Sequence, residues 1–173
     1  MFASGSKRSP ATPTSASIFS SVVEYVRLVP GDADRLEELN LFFARVFPDP
    51  EVLNCEGASA QQRAAWLADD GNLALVALES SEIVGGLVAY RFDKIEGRRE
   101  FYIYDLAVAE AYRRRGIATR LIEALCRIAR DAGAWVVYVQ ADQADAPAVA
   151  LYTKLGARED VLHFDIDPKV MKP

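Results

Sequence analysis

YIYDLAVAEAYRRRGIATRLIEALCRIAR, residues Tyr102 to Arg130, is the stretch around which the rest of the chain is organised. Its first seven residues, Tyr102-Ile103-Tyr104-Asp105-Leu106-Ala107-Val108, read as an apolar strand carrying one acid. A short turn ends in Arg113-Arg114-Arg115, and Gly116-Ile117-Ala118-Thr119 opens a long amphipathic helix. The first N–H groups of a helix have no partner within it, and the helix dipole adds partial positive charge at that end. A strand that delivers a basic, glycine-containing turn onto such an end makes a cradle for phosphate. Arginine supplies counter-charge and forked donors. A side chain at 116 would stand between backbone and phosphate, so glycine suits the position, and Ala118 is small for the same reason. The competing reading is an ordinary strand–turn–helix with a solvated basic turn. Better-known phosphate loops do not fit, because the stretch has neither Gly-x-Gly-x-x-Gly nor a Gly-Lys-Ser/Thr ending.

At 173 residues the chain is sized for one domain with a sizeable core. No apolar run is long enough to span a membrane. Lys7-Arg8 is followed by no apolar segment, so the N-terminus does not read as a secretory signal. Cys55 and Cys126 lie far apart outside any Cys-x-x-Cys, which argues against a disulfide or a metal site and for a reduced, cytoplasmic setting. Cys126 falls within the long helix pattern and is expected in the core. The net charge of −5 is uneven. Arginines crowd residues 113–130, whereas Asp142, Asp145, Glu159, Asp160, Asp165 and Asp167 crowd the C-terminal third. A basic pocket beside an acidic surface suits an anionic cofactor and a cationic acceptor, though an acidic surface also serves solubility. No extended basic face points to nucleic acid.

Along the chain, Met1 to Ser21 is rich in Ser, Ala, Thr and Pro and is expected to be a disordered leader. Residues 22–168 form a single domain, with 169–173 as a tail. Val22–Leu28 reads as a strand. Asp32 caps a helix to about Phe47 with Leu36, Leu39, Phe43 and Phe47 on one stripe. Ser59 caps a short helix near Gln61–Ala68 that carries Trp66 and Leu67. Asn72–Leu78 and Ile83–Phe92 form an antiparallel pair across the turn Glu79-Ser80-Ser81-Glu82. Gly85-Gly86 signals a bulge or a close backbone approach. The helix Gly116–Asp131 buries Ile117, Leu121, Leu125, Ile128 and Ala129 and stops at Gly133. Trp135–Val139 reads as a central parallel strand, Ala146–Lys154 as a helix capped by Gly156, and Arg158–Phe164 as a last strand. The order gives an α/β (α+β) fold with a mixed sheet.

Arg113-Arg114-Arg115-Gly116-Ile117-Ala118 resembles the Arg/Gln-x-x-Gly-x-Gly/Ala signature of the GNAT N-acetyltransferase superfamily. The Tyr102–Val108 strand, Val137-Tyr138-Val139-Gln140-Ala141-Asp142 and Pro147–Gly156 together are similar to the aminoglycoside 3-N-acetyltransferases of type I, the gentamicin acetyltransferases. His163-Phe164-Asp165-Ile166-Asp167-Pro168 fits the same group. The resemblance covers most of the chain from about Val22. It implies a mixed, mostly antiparallel central sheet, flanked by helices and splayed at an acetyl-CoA site. It further implies a homodimer and an aminoglycoside partner. Leu106, Ala107, Val108 and the run Arg113, Arg114, Arg115, Gly116, Ile117, Ala118 and Thr119 would bind the coenzyme. The first helices would lie over the acceptor, where Asp49, Glu51 and Glu56 are candidates, although exposed loop acids are the simpler reading. Many relatives carry Asn seven residues before the Tyr152 position, and this chain has Asp145 there.

Acetyl transfer from a thioester to an amine requires loss of the ammonium proton, placement, an oxyanion donor and a proton for the leaving thiolate. Asp105 is the candidate base, since burial would raise its pKa. The alternative is an acid at a strand bulge paired with Arg98 or Arg99. Tyr152 is the candidate acid, because the resemblance aims it at the coenzyme sulfur. Without the resemblance it reads as a core aromatic beside Ala148 and Leu155. Backbone N–H groups near Leu106 to Val108 are candidate oxyanion donors. Tyr104, Asp105, Asp142 and Asp145 are assigned to the acceptor. His163, the single histidine, is read as structural. Two further functions fit an acidic cleft on such a fold: an acetyltransferase for polyamines or another small amine, and a non-catalytic acyl-CoA-binding regulator.

Overall fold

Residues Asn72 to Glu79 send Leu73, Leu75 and Ala77 to one side and Ala74 and Val76 to the other, and all five are buried. A strand buried on both faces sits inside a sheet that is covered twice. The computed structural model describes residues 22–47 and 57–170. The expected leader, Asp49, Glu51, Cys55 and Glu56 fall outside the described residues.

Among the described residues the sheet has five strands in the order β1 (Glu24–Arg27), β2 (Asn72–Glu79), β3 (Glu82–Asp93), β4 (Arg99–Val108) and β5 (Val136–Val139). Neighbours are antiparallel except β4 and β5, which run parallel. This is the mixed, mostly antiparallel sheet expected above. Ser80 and Ser81, at φ 51° and 70°, close the β2–β3 hairpin in two residues. Positive φ at both centres gives a turn whose twist matches its strands.

One face is covered by α1 (Ala33–Val46) and α2 (Ala60–Ala68), through Leu36, Leu39, Phe42, Phe43 and Leu67. The other is covered by α3 (Ile117–Asp131), through Ile117, Leu121, Ile122, Leu125 and Ala129. Leu151 and Tyr152 of α4 (Ala146–Leu155) pack against that second core. Ser59 caps α2 as expected: its hydroxyl accepts from Gln62 N–H at 3.3 Å, and the Gln62 side chain accepts from Ser59 N–H at 2.8 Å. The glycine pair serves both purposes read from the sequence. The β2–β3 register shifts between Ala77 and Leu78, opposite Gly85 and Ile83. A Cβ on Gly86 would overlap Leu39, so glycine lets α1 approach the sheet.

Four expectations are corrected. The β5 strand is an edge strand of the described sheet, with Trp135 71% exposed. Residues 158–164 form no strand, and 157–170 are exposed throughout. The segment is instead closed on itself by short-range pairs, Arg158 with Asp160 and His163 with Asp165. Cys126 is exposed, because it points off the stripe set by Leu125 and Ala129. Phe47 follows the last turn of α1 and is 47% exposed, and Phe42 takes its place in the stripe.

Candidate active site

The turn before α3 holds two left-handed residues, Arg114 at φ 64° and Gly116 at φ 79°. Such a conformation costs a side-chain-bearing residue about 1–2 kcal/mol, and residues held there cluster at functional turns. Gly116 is the N-cap, and the first α3 bond runs from Arg120 N–H to the Gly116 carbonyl at 3.0 Å. The N–H groups of Ile117, Ala118 and Thr119 therefore precede the helical ladder. The Ile117 side chain is 2% exposed and pins the helix start to the core. A Cβ on Gly116 would meet nothing within 4 Å, so the turn opens outward. Open N–H groups, a helix start and neighbouring arginines fit an anion such as a pyrophosphate.

The three arginines do not converge. Arg113 Nε donates to the Val108 carbonyl at 3.2 Å. Arg115 donates to Glu79 at 2.6 Å and lies over the Tyr112 ring at 5.0 Å. Arg114 is exposed and makes no hydrogen bond or ion pair among the described residues. The hold of Glu79 on Arg115 bridges distant stretches of chain, and no sequence motif announces it.

Strands β4 and β5 part at the site. Their last paired residues are Ile103 and Val139, while β4 continues to Val108. Ala109 N–H bonds the Val84 carbonyl at 2.9 Å, which fixes the phase of the β3–β4 ladder. By alternation Ala107 faces β3, and the N–H groups of Leu106 and Val108 face the gap. Both lack a strand partner there. Of the three coenzyme candidates on β4, Leu106 and Val108 are thus placed to donate, and Ala107 is committed to the ladder and the α1-side core.

A bulge delivers the acid. Val88 pairs with Asp105 and Ala89 with Ile103, which leaves Tyr104 extra. Ile103 and Leu106 both pack on the α3 side, so Tyr104 and Asp105 turn together to the α1–α2 face. Asp105 is half-buried, and burial pushes its carboxyl above the usual carboxylate range. It makes no hydrogen bond or ion pair among the described residues. Arg99 is held by Asp93 at 2.5 Å and the Ala132 carbonyl at 2.7 Å. Arg98 lies over Trp135 and near Glu96. The bulge is present, but neither arginine neutralises the acid. The sequence did carry a signal for it: Ile103, Leu106 and Val108 break a two-residue apolar period.

Tyr152 is half-buried against the α3-side core, and burial first, then the charge of Asp145, raises its pKa. It therefore keeps its proton at neutral pH. Asp145 caps α4 by accepting from Ala148 N–H at 3.1 Å. Asp142 accepts from Ala144 N–H at 2.8 Å. Both acids are exposed and shape the turn into α4, a role the sequence reading did not give them. The aromatic neighbours of Tyr104, which are Tyr90 and Tyr102, also escaped that reading. His163 lies on the exposed C-terminal segment against Asp165. Among the described residues no group of His, Cys, Asp or Glu is placed to hold a metal ion, and no helix is long and apolar enough to cross a membrane.

An aminoglycoside acetyltransferase from an uncultured soil metagenomic sample is 48% identical, with a TM-score of 0.81 over 84% of this chain and 98% of that one. A second such enzyme from an uncultured soil metagenomic sample, solved in complex with sisomicin, is 30% identical, with a TM-score of 0.77 over 84% of this chain and 95% of that one. The N-alpha-acetyltransferase of Saccharolobus solfataricus is 32% identical over 101 residues, 54% of this chain and 60% of that protein. The curated relatives are matched over 46–60% of their own length. The acetyltransferase (GNAT) family model matches residues 34–157, which include α1 after Ala33, the whole of β2–β5 and both halves of the site. The chain belongs to the acetyltransferase (GNAT) family.

Proposed function

We propose that this protein is an acetyl-CoA-dependent N-acetyltransferase that acetylates the 3-amino group of aminoglycosides such as gentamicin and thereby gives antibiotic resistance. The observation that carries the proposal is Asp105: a half-buried carboxylate without a partner among the described residues, turned by a bulge onto the face where β4 parts from β5. A half-buried carboxylate needs a partner, and an ammonium group supplies one. Likeness to two aminoglycoside acetyltransferases points to that acceptor class.

Acetyl-CoA supplies the acetyl thioester. The N–H groups of Ile117, Ala118 and Thr119, with the exposed Arg114 nearby, hold its pyrophosphate. Asp105 takes the ammonium proton, directly or through one water, and frees the lone pair that attacks the carbonyl carbon. The N–H groups of Leu106 and Val108 donate to the oxyanion that forms. Tyr152 gives its proton to the sulfur as the oxyanion collapses and the carbon–sulfur bond breaks, and the second proton of the attacking nitrogen returns to the phenolate, through water, to leave a neutral amide. Asp142 and Asp145 each keep lone pairs beyond their turn bonds, and they draw the remaining ammonium groups of a polycation.

The protein is proposed to act in the cytoplasm as a homodimer. Exposed Trp135, Val136 and Tyr138 at the sheet edge, with Leu162 and Phe164 beyond α4, supply apolar surface for a second copy. Light scattering that reports the mass of one chain would remove the dimer. The function is tested by incubating the protein with acetyl-CoA and gentamicin, spermidine or a peptide, and locating the added acetyl group by NMR. Acetylation of gentamicin at the 3-amino group is expected. Transfer to spermidine or peptide alone would replace the aminoglycoside with that acceptor.

A further inference from the structure

We infer that the acceptor lies on a bed of aromatic rings centred on Tyr104, and that this bed selects a ring-shaped polycation over a flexible linear amine. The inference deepens the proposed function and rests on it. The rings form a continuous row across the sheet. Trp66 of α2 meets Tyr90 of β3 at 6.1 Å between centroids, Tyr90 meets Tyr104 at 5.6 Å, and Tyr104 meets Tyr102 at 6.0 Å. All three contacts are edge-to-face at 87°. Tyr102 then tilts against Tyr138 of β5 at 5.1 Å. Its hydroxyl donates to Gln140 at 3.2 Å, which fixes the end of the row at the point where the strands part.

The bulge makes the row functional. An unbulged strand would place Tyr104 and Asp105 on opposite faces. Here both face α1 and α2, so an exposed ring stands beside a carboxylate that has no partner among the described residues. Tyr104 is 64% exposed although two neighbouring rings hold it, so it offers a fixed surface rather than filling a core. Burial raises the pKa of the Tyr90 and Tyr102 phenols, and the charge of Asp105 adds to the shift, so both stay protonated. Their hydroxyls can then donate or accept.

A rigid saturated ring bearing an ammonium group meets this arrangement in two ways: its C–H face covers the phenol, and its charge meets Asp105 and the π-cloud. A linear polyamine can satisfy Asp105 equally well. To cover the rings, however, it must fix several rotatable bonds, which costs entropy that a rigid ring does not lose. The rings therefore set the preference between two acceptors that the carboxylate alone would treat alike.

The test is steady-state kinetics of Tyr104→Ala and Tyr104→Phe with gentamicin, spermidine and acetyl-CoA, alongside thermal melts. Tyr104→Ala is expected to raise the gentamicin KM about tenfold. The spermidine KM should rise less, and the acetyl-CoA KM should not move. Tyr104→Phe, which restores the ring without the hydroxyl, should recover most of the loss. An unchanged gentamicin KM in a folded Tyr104→Ala overturns the inference and leaves the proposed function standing. A Phe variant as impaired as Ala overturns it too, since the hydroxyl rather than the ring would then be responsible. If the wild type acetylates no aminoglycoside, the function and the inference fall together.

Discussion

The turn that opens α3 and the open end of β4 are close in sequence and are built by different means. The turn presents main chain: N–H groups at Ile117, Ala118 and Thr119, bent into place by left-handed Arg114 and Gly116, with Arg113 and Arg115 engaged elsewhere. The end of β4 presents side chains, with Asp105 and Tyr104 swung to one face by a single inserted residue. The contrast indicates how one fold can keep a donor while changing an acceptor. On the proposed assignment, a diphosphate is read by backbone geometry, which few substitutions disturb, and an amine by the side chains a strand displays, which one bulge or one exchange alters. Damage to the two regions should therefore separate kinetically.

The largest effect is expected at β4. Asp105→Asn keeps the size and removes the charge, and it should lower turnover about 1000-fold at neutral pH, the middle of the range for positioned acid–base groups. Part of the loss should return at high pH, where free amine is abundant. Because burial raises the Asp105 pKa, the acid limb of the wild-type pH–rate profile should lie above the ordinary carboxylate range. Stability should show the same shift. A folded-state pKa above the unfolded value means that ionised Asp105 weakens the fold at neutral pH, and that this penalty fades as pH falls through the raised pKa. Asp105→Asn should thus melt slightly higher than wild type at neutral pH and equally in acid. A variant with full activity and an unmoved pH profile would end the base assignment.

Tyr152→Phe comes next. Turnover should drop about 100-fold, the low end of the same range, because water can partly replace a half-exposed donor. Coenzyme binding should hold. A two- or three-fold change would make Tyr152 a packing residue of the α3-side core. Its raised pKa puts the alkaline limb above the ordinary phenol range, so loss of activity just above neutrality would point to another group.

Damage to the turn should look different. Gly116→Val strains a left-handed position that glycine holds freely, at a turn that opens outward. Valine lets the free turn relax, and coenzyme binding must then restore the left-handed conformation at a cost of about 1–2 kcal/mol, so the acetyl-CoA KM should rise about tenfold with little change in the acceptor KM. The smallest effects should come from the turn into α4. Asparagine caps a helix as well as aspartate, so Asp145→Asn should leave the melting temperature alone and raise the gentamicin KM a few-fold, less so in high salt. Asp145→Ala also loses the cap, worth about 1 kcal/mol, and should melt lower. Equal KM values in the Asn variant and wild type would make Asp145 purely a cap.

How much of this could be read from the chain depended on distance along it. The helices and hairpin followed from local periodicity and caps: Ser59 before α2, Leu121 and Leu125 on α3, and Ser80-Ser81 between β2 and β3. The strand–turn–helix before α3 was legible because its parts are contiguous. The apolar run Trp135–Val139 read as a central strand, yet β5 has a neighbour on one side only. Periodicity reports that a residue is apolar and cannot say what covers it. The stretch Arg158–Phe164, read as a last strand, misled for the same reason, with Leu162 and Phe164 both exposed. Contacts between distant segments, such as Glu79 with Arg115 or Tyr90 with Tyr104, leave no local pattern. Asp105 fell between these cases: its type and place were legible, but its freedom from Arg98 and Arg99 required the fold.

Calorimetric titration of coenzyme A into the wild type, Gly116→Val and Asp105→Asn tests the division between the two regions most directly. Wild type and Asp105→Asn should bind with the same affinity, and Gly116→Val about tenfold more weakly. Equal affinity in all three folded proteins would mean that the turn before α3 does not hold the coenzyme, and weakened binding in Asp105→Asn would mean that donor and acceptor are not held separately.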